Sequence, residues 1–238
     1  MIKFVKLKKL ISVFVAVFVC VILSLSIIKI SSFGASGSNS LGITIVLDAG
    51  HGGRDDGSSG VNTGVKEADL NLQITKRLEK QLKNFGFKVV LTREDKDGLY
   101  DKNVENFKKS DMVKRKEIIE KANPNMVISI HMNSFPSNYV SGAQAFYQEG
   151  DDNSKMFAES VQKQLLKNFD NAKKEANKGD YYILKCINRP TILVECGYLT
   201  NPEEELLLQK ESYQEKMAYS ILCGIIEYFK VAETLCAY

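Results

Sequence analysis

Ile43-Thr-Ile-Val-Leu-Asp-Ala-Gly-His-Gly-Gly53 begins as a short, apolar, β-branched run and then changes abruptly to glycine and polar residues. Residues 43–47 predict a buried strand. The glycine-rich stretch from Gly50 to Gly64 predicts a loop. Beyond it Leu70, Ile74, Leu78, Leu82 and Phe85 recur at helical spacing, which predicts a helix over 67–84 with Gly86 placed to end it. The same unit then repeats in outline. Residues 87–91 predict a strand, 96–109 a polar loop, and Ser110 an N-cap for a short helix that Pro124 terminates. Residues 126–130 and 143–147 predict further strands, with a helix over 154–169 after them. A loop over 170–180 leads to strands at 181–185 and 191–195. Pro202 suits the first position of a helix, and a last helix covers 212–230. Apolar strands alternating with amphipathic helices predict an α/β fold, a mostly parallel sheet with helices on both faces, in a single domain.

The net charge of +3 combines two unlike parts. Residues 1–34 carry Lys3, Lys6, Lys8, Lys9 and Lys29 and no acid, which leaves 27 basic against 29 acidic residues in the rest. The basic excess therefore lies outside the domain, and nucleic acid is not the expected partner. From Leu10 to Ile28 no residue is charged, and as a helix this run is about 28 Å long, near the hydrocarbon thickness of a bilayer. Lysines ahead of an apolar run form an export pattern. Residues 1–34 are thus expected to be a signal peptide or a membrane anchor, 35–42 a linker, 43–232 the catalytic domain and 233–238 a tail. The domain is expected to work outside the cytoplasmic membrane. Cys186, Cys196, Cys223 and Cys236 show no compact spacing and are expected to be buried free thiols.

In sheets of this kind ligands bind beyond the carboxyl ends of the strands. The chain has only two histidines. His51 lies just past the first strand and His131 immediately after the strand ending at Ile130, while Glu195 ends the strand over 191–195. Two histidines and one carboxylate, with a fourth position for water, form a catalytic zinc set. Asp48, Asp55, Asp56, Glu67 and Asp69 all compete for the third position, and Glu67 has the advantage of opening a helix. Glu195, at a strand end in apolar surroundings that raise a carboxyl pKa, suits a proton carrier. Gly52 and Gly53 are expected to let backbone approach metal or substrate. The loop contains neither GK[ST] nor GxGxxG, which removes both nucleotide motifs. Arg93 is a candidate for binding a substrate carboxylate or for an ion pair with Asp95, and Asn133 a candidate for substrate contact. Glu203, Glu204 and Glu205 read as favourable charge at a helix N-terminus.

Five blocks in this order carry a resemblance: residues 44–53, Glu67, Leu91-Thr-Arg93 with Asp95, Ser129-Ile-His-Met-Asn133, and residues 190–201. Together they resemble the zinc-dependent N-acetylmuramoyl-L-alanine amidases of the Amidase_3 type over about 43–230. The resemblance implies a mixed sheet of about six strands. It implies one zinc ion held by His51, Glu67 and His131, with Glu195 as catalytic acid/base. The implied reaction is hydrolysis of the amide between the lactyl group of muramic acid and L-alanine of the stem peptide in peptidoglycan. A short domain behind a membrane segment is similar to the germination-specific amidases of endospore-forming bacteria, which act before muramic-δ-lactam forms in the spore cortex. A three-ligand site in a nearly neutral domain further suggests a partner protein for recruitment or zinc retention. A zinc hydrolase of another peptide or N-acetyl bond, or a non-catalytic wall-binding protein, are the competing readings. Ala49 and Cys196 depart from the family pattern, and Cys196 beside Glu195 is a candidate stray soft ligand.

Overall fold

Six strands order the described part of the chain. They are β1 (Thr44–Ala49), β2 (Lys88–Leu91), β3 (Met126–Asn133), β4 (Gln144–Tyr147), β5 (Asn177–Lys178) and β6 (Thr191–Tyr198). The helices are α1 (Glu67–Asn84), α2 (Phe107–Ala122), α3 (Asp152–Asn168), α4 (Tyr182–Lys185), α5 (Pro202–Leu208) and α6 (Glu211–Cys236). The structure, a computed structural model, describes residues 41–236, with side chains as far as Lys230. The expected export segment over 1–34 and nearly all of the linker lie outside the described residues. Helix α6 runs to Cys236, so the expected domain boundary at 232 falls inside a helix. No helix among the described residues is long and apolar enough to cross a membrane.

The sheet order is β2-β1-β3-β6-β4-β5. Strand β1 runs parallel to β2 and β3, and β3 parallel to β6. Strand β4 is antiparallel to β6 and parallel to β5. The sheet is therefore mixed and mostly parallel. Alternation along each central strand feeds two cores. Ile45, Leu47, Ile128, Ile130, Ile192 and Val194 meet the apolar faces of α1, α3 and α6. Val46, Val127 and Leu193 point the other way, onto Ile119 of α2 and Ile183 and Leu184 of α4. Burial of each such aliphatic side chain contributes about 1.5–3 kcal/mol. Removing one at a central strand, as in Ile128→Ala, costs about 2–5 kcal/mol.

Three expectations are corrected. Residues 181–185 are not a strand. Ile183 and Leu184 are both buried in the same core, which neighbouring residues of a strand cannot be and neighbours on a helical turn can. The sheet is completed instead by β5, Asn177–Lys178, exposed and polar, pairing with Phe146 and Tyr147 of β4. Helix α2 starts three residues before Ser110, capped by Asn106, whose Oδ1 accepts a hydrogen bond from the Lys109 N–H at 3.0 Å. Strands β3 and β6 extend past Ile130 and Glu195, so His131 and Glu195 sit within them, near their carboxyl ends, and pair with each other in register. A register shift between His131 and Asn133 then ends the regular pairing.

Candidate metal centre

The parallel strands β1, β3 and β6 end side by side, and their carboxyl ends deliver His51, His131 and Glu195 to one edge of the sheet. Helix α1 supplies Glu67 as its first residue. His51 Nε2 lies 3.1 Å from Glu67 Oε1, and His131 Nδ1 lies 3.0 Å from the same oxygen. One ligand atom from each of the three lies within 4.8 Å of the others. Glu67 is fixed by backbone donors as well. Its Oε2 accepts the Ser58 N–H at 2.8 Å and its Oε1 the Met132 N–H at 3.2 Å, tying the glycine-rich loop to β3.

The four competing acids are otherwise engaged. Asp48 is buried and bonded to Arg115, Thr92 and Ser129. Asp56 pairs with Lys66 at 2.8 Å and Asp69 with Lys96 at 3.0 Å, both near the surface. Asp55 Oδ2 reaches the outer nitrogen of His51, Nδ1, at 2.8 Å. Glu67 alone of the five stands between the two histidines.

Local backbone explains how two rings come so close to the chain. His51 has φ 62°, in the left-handed region, at a cost of about 1–2 kcal/mol for a residue with a side chain. Arg115 Nη2 donates to its carbonyl at 2.6 Å and holds it there. At Gly50 an added Cβ would fall 2.2 Å from the His131 ring, and at Gly57 it would fall 2.5 Å from Glu67 Oε2. These two glycines make room for the centre. Gly52 and Gly53, expected to do so, instead pack against Asp97, Gly98 and Tyr100.

Electrostatics at the edge is polarised. Burial works to raise the Glu67 carboxyl, but hydrogen bonds and charge from His131 and His51 outweigh it and hold it well below the usual carboxylate range. Burial works to lower the His51 imidazole, yet bonding to Glu67 and Asp55 raises it to about 9. A field that favours a second proton on His51 also favours a cation at its Nε2. Glu195 is 7% exposed, and burial, first among its causes, raises it to about 7 against the lowering pull of His131. Its Oε2 is buried without a hydrogen-bond partner among the described residues. Glu195, Asn133, Glu67 and both histidines line one cleft of about 370 Å³.

Arg93 is corrected by its contacts. It is 3% exposed and lines neither cleft wall nor floor. Its guanidinium donates to the carbonyls of Ala49, Asp95, Gly50 and Ala68. With its donors committed to backbone, it clamps the His51 loop to the start of α1 rather than binding substrate, and its contact with Asp95 is to the carbonyl, not the carboxylate. Two of the three neighbouring glutamates are also ties. Glu204 accepts from the Tyr198 and Gly142 N–H groups, and Glu205 from Asn62 and Thr63. Cys186, Cys196 and Cys223 are free thiols. Cys196 belongs to the core beneath α1, α3 and α6, whereas Glu195 lines the cleft, so the thiol is not a stray ligand.

Residues missed in the sequence are Lys108, which pairs with Asp55 at 3.0 Å, Tyr181 in the cleft wall, and the Arg115–Asp48 pair. No periodic signal marks them, since the last pair is separated by 67 residues.

Comparison with known proteins follows the same lines. Residues 45–227 match the Amidase_3 family, described as N-acetylmuramoyl-L-alanine amidase. The germination-specific N-acetylmuramoyl-L-alanine amidase of Bacillus subtilis (strain 168) is 35% identical over 192 residues, 79% of this chain and 80% of that protein. The structure of the CwlD amidase from Clostridioides difficile in complex with the GerS lipoprotein has a TM-score of 0.76 at 39% identity, covering 79% of this chain and 99% of that one. The catalytic domain of CwlV, an N-acetylmuramoyl-L-alanine amidase from Bacillus (Paenibacillus) polymyxa var. colistinus, has a TM-score of 0.70 at 31% identity, covering 79% and 99%. The chain belongs to the Amidase_3 family and is an N-acetylmuramoyl-L-alanine amidase, a hydrolase of peptidoglycan.

Proposed function

We propose that this amidase is zinc-dependent, with His51, Glu67 and His131 holding the metal and Glu195 acting as acid/base. The observation that carries the reading is the meeting of the chain's only two histidines with a buried Glu67, beside the unpartnered buried oxygen of Glu195. The donor set of two imidazole nitrogens and one carboxylate oxygen is the chemistry that catalytic zinc takes. When bound there, zinc supplies Lewis acidity toward the scissile carbonyl and toward a water nucleophile.

The chain's own residues do the rest. Glu195, raised to about 7 by burial, accepts the proton of the attacking water at Oε2 and delivers it to the leaving nitrogen of L-alanine. The carbon–nitrogen bond breaks, and the lactyl carboxylate and a free amino terminus are the products. Asn133, at the cleft wall, offers its side-chain amide to the stem peptide. Gly50 and Gly57 keep His131 and Glu67 in place, and Arg93 keeps the His51 loop closed on α1.

The finer role we assign is trimming of stem peptides in the spore cortex, ahead of muramic-δ-lactam formation. The likeness to the germination-specific amidase of Bacillus subtilis and to the CwlD amidase supports it. That role places the domain outside the cytoplasmic membrane, delivered there by the lysine-flanked apolar segment of residues 1–34 as signal or anchor. A partner protein for recruitment or zinc retention also belongs to this reading, supported by the lipoprotein seen with the CwlD amidase.

Digesting peptidoglycan with the full chain, followed by mass spectrometry of the products and metal analysis of the same sample, tests the assignment. New L-alanine amino termini without new reducing sugars, together with about one zinc per chain, are expected. Cleavage between stem-peptide residues, or full activity in a metal-free sample, refutes it.

A further inference from the structure

The two histidines of the centre are held by different means. His131 presents Nδ1 to Glu67, and the backbone at Gly50 is so close that it sets the ring's position. His51 presents Nε2 to Glu67 and turns Nδ1 outward to Asp55 Oδ2 at 2.8 Å. The other oxygen of Asp55 lies 3.0 Å from Lys108 Nζ. Lys108 belongs to the first turn of α2, and Arg115 of the same helix bonds the His51 carbonyl at 2.6 Å. Helix α2 therefore grips His51 twice, at its strained backbone and, through Asp55, at its ring.

We propose that Asp55, pinned by Lys108, is a positioning residue of the amidase that fixes the tautomer and orientation in which His51 offers Nε2 to the metal. An ionised carboxylate only accepts hydrogen bonds, so its partner Nδ1 must donate. In a neutral imidazole that leaves the lone pair on Nε2, the nitrogen facing Glu67 and His131. Asp55 and Lys108 both line the cleft, and the Lys108 cation opposes the carboxylate's leaving His51 Nδ1 for the metal position as a competing ligand. Such outer partners commonly alter metal affinity about 10–100-fold. No carboxylate plays this part for His131 among the described residues, so the dependence belongs to His51 alone.

The inference rests on His51 being a metal ligand, and the experiment separates the two claims. The full chain, purified in detergent and stripped of metal, is titrated with zinc against a chromophoric chelator near neutral pH. The parent, Asp55→Ala, Asp55→Asn, Lys108→Ala and His51→Ala are compared, and thermal melting of each metal-free chain is recorded alongside. Zinc affinity is expected to fall about 10–100-fold in Asp55→Ala and less in Asp55→Asn, which keeps an acceptor. Lys108→Ala is expected to lose about two- to fivefold, an effect that high salt removes, since the pair is partly exposed. With only two histidines in the chain, ¹⁵N-imidazole spectra of the metal-free chain at about pH 10, above the value of about 9 to which Glu67 and Asp55 raise His51, report the neutral tautomer directly. The signal from His51 should show Nδ1 protonated in the parent and a tautomer mixture in Asp55→Ala. Zinc affinity and tautomer both unchanged in Asp55→Ala, with zinc lost in His51→Ala, overturn the positioning role alone. Unchanged affinity in His51→Ala overturns the ligand assignment beneath it. Should Asp55→Ala fail to fold, the exposed Lys108→Ala and the isosteric Asp55→Asn decide the matter by the same readouts.

Discussion

Gly50→Ala separates the folding of this domain from the geometry of its centre. A Cβ at position 50 falls 2.2 Å from both Cε1 and Nε2 of His131 and 2.7 Å from Nδ1. Non-bonded carbons settle near about 3.5 Å, so the ring must retreat by about 1.3 Å. Gly50 is not among the glycines with positive φ, and alanine meets no backbone penalty there. Restricting the unfolded chain contributes about 0.4–1 kcal/mol of stability, and overpacking costs about 1–3 kcal/mol. The imidazole lies at the open end of the sheet and can turn aside, which keeps the net loss near the lower end, under about 2 kcal/mol. Melting should fall by less than about 8 °C in a domain of this size. The functional effect is larger, because His131 Nδ1 stands 3.0 Å from Glu67 Oε1 and moves with the ring. Misplacing a positioned group by about 1 Å costs on the order of 100-fold in rate. The assay is release of stem peptide from peptidoglycan well below the melting point, with zinc content measured on the same preparation. Turnover and zinc equal to the parent would refute the reasoning, as would an activity loss that merely tracks melting and returns on cooling.

Glu195→Gln should keep zinc and lose turnover, whereas His131→Ala should lose both; full turnover by the glutamine variant removes Glu195 from proton transfer. A second expectation concerns acid. Burial works to raise Asp48, but Arg115, then Ser129 and Thr92, outweigh it and lower it from 3.8 to about 2. A depressed carboxyl contributes stability that is present above its unfolded pKa and lost as pH falls through its folded one, here about 2 kcal/mol disappearing between about pH 5 and pH 2. Urea unfolding across that window should show this slope in the parent and a flatter one in Asp48→Asn, and parallel slopes in the two chains would remove Asp48 as its source.

What the sequence made legible divides by the kind of signal each feature carries. The central strands and α1 were readable because burial writes a period into the chain: Leu70, Ile74, Leu78 and Leu82 are all buried on one face, as their spacing predicts. Strand β5 was not, since Asn177 and Lys178 are exposed on an edge and leave no apolar trace. Nor was the turn of α4, because four apolar residues, Tyr181 to Leu184, are too few to separate a strand from a helix. The same division runs through the centre. Histidine is rare enough here that two of them at neighbouring strand ends already point to a shared ligand. Acids are common, and each of the five candidates lies close to the glycine-rich loop, so composition alone could not choose among them. Their fates depend on cations that arrive from far along the chain: Arg115 for Asp48, Lys108 for Asp55, Lys96 for Asp69. Those pairings have no period and no fixed spacing, and they decide which carboxylate is left free to face the histidines. The identity of the proposed third ligand is thus a property of where the domain's positive charges settle, and α2, which supplies two of the three cations, has as much say in it as the loop that carries His51.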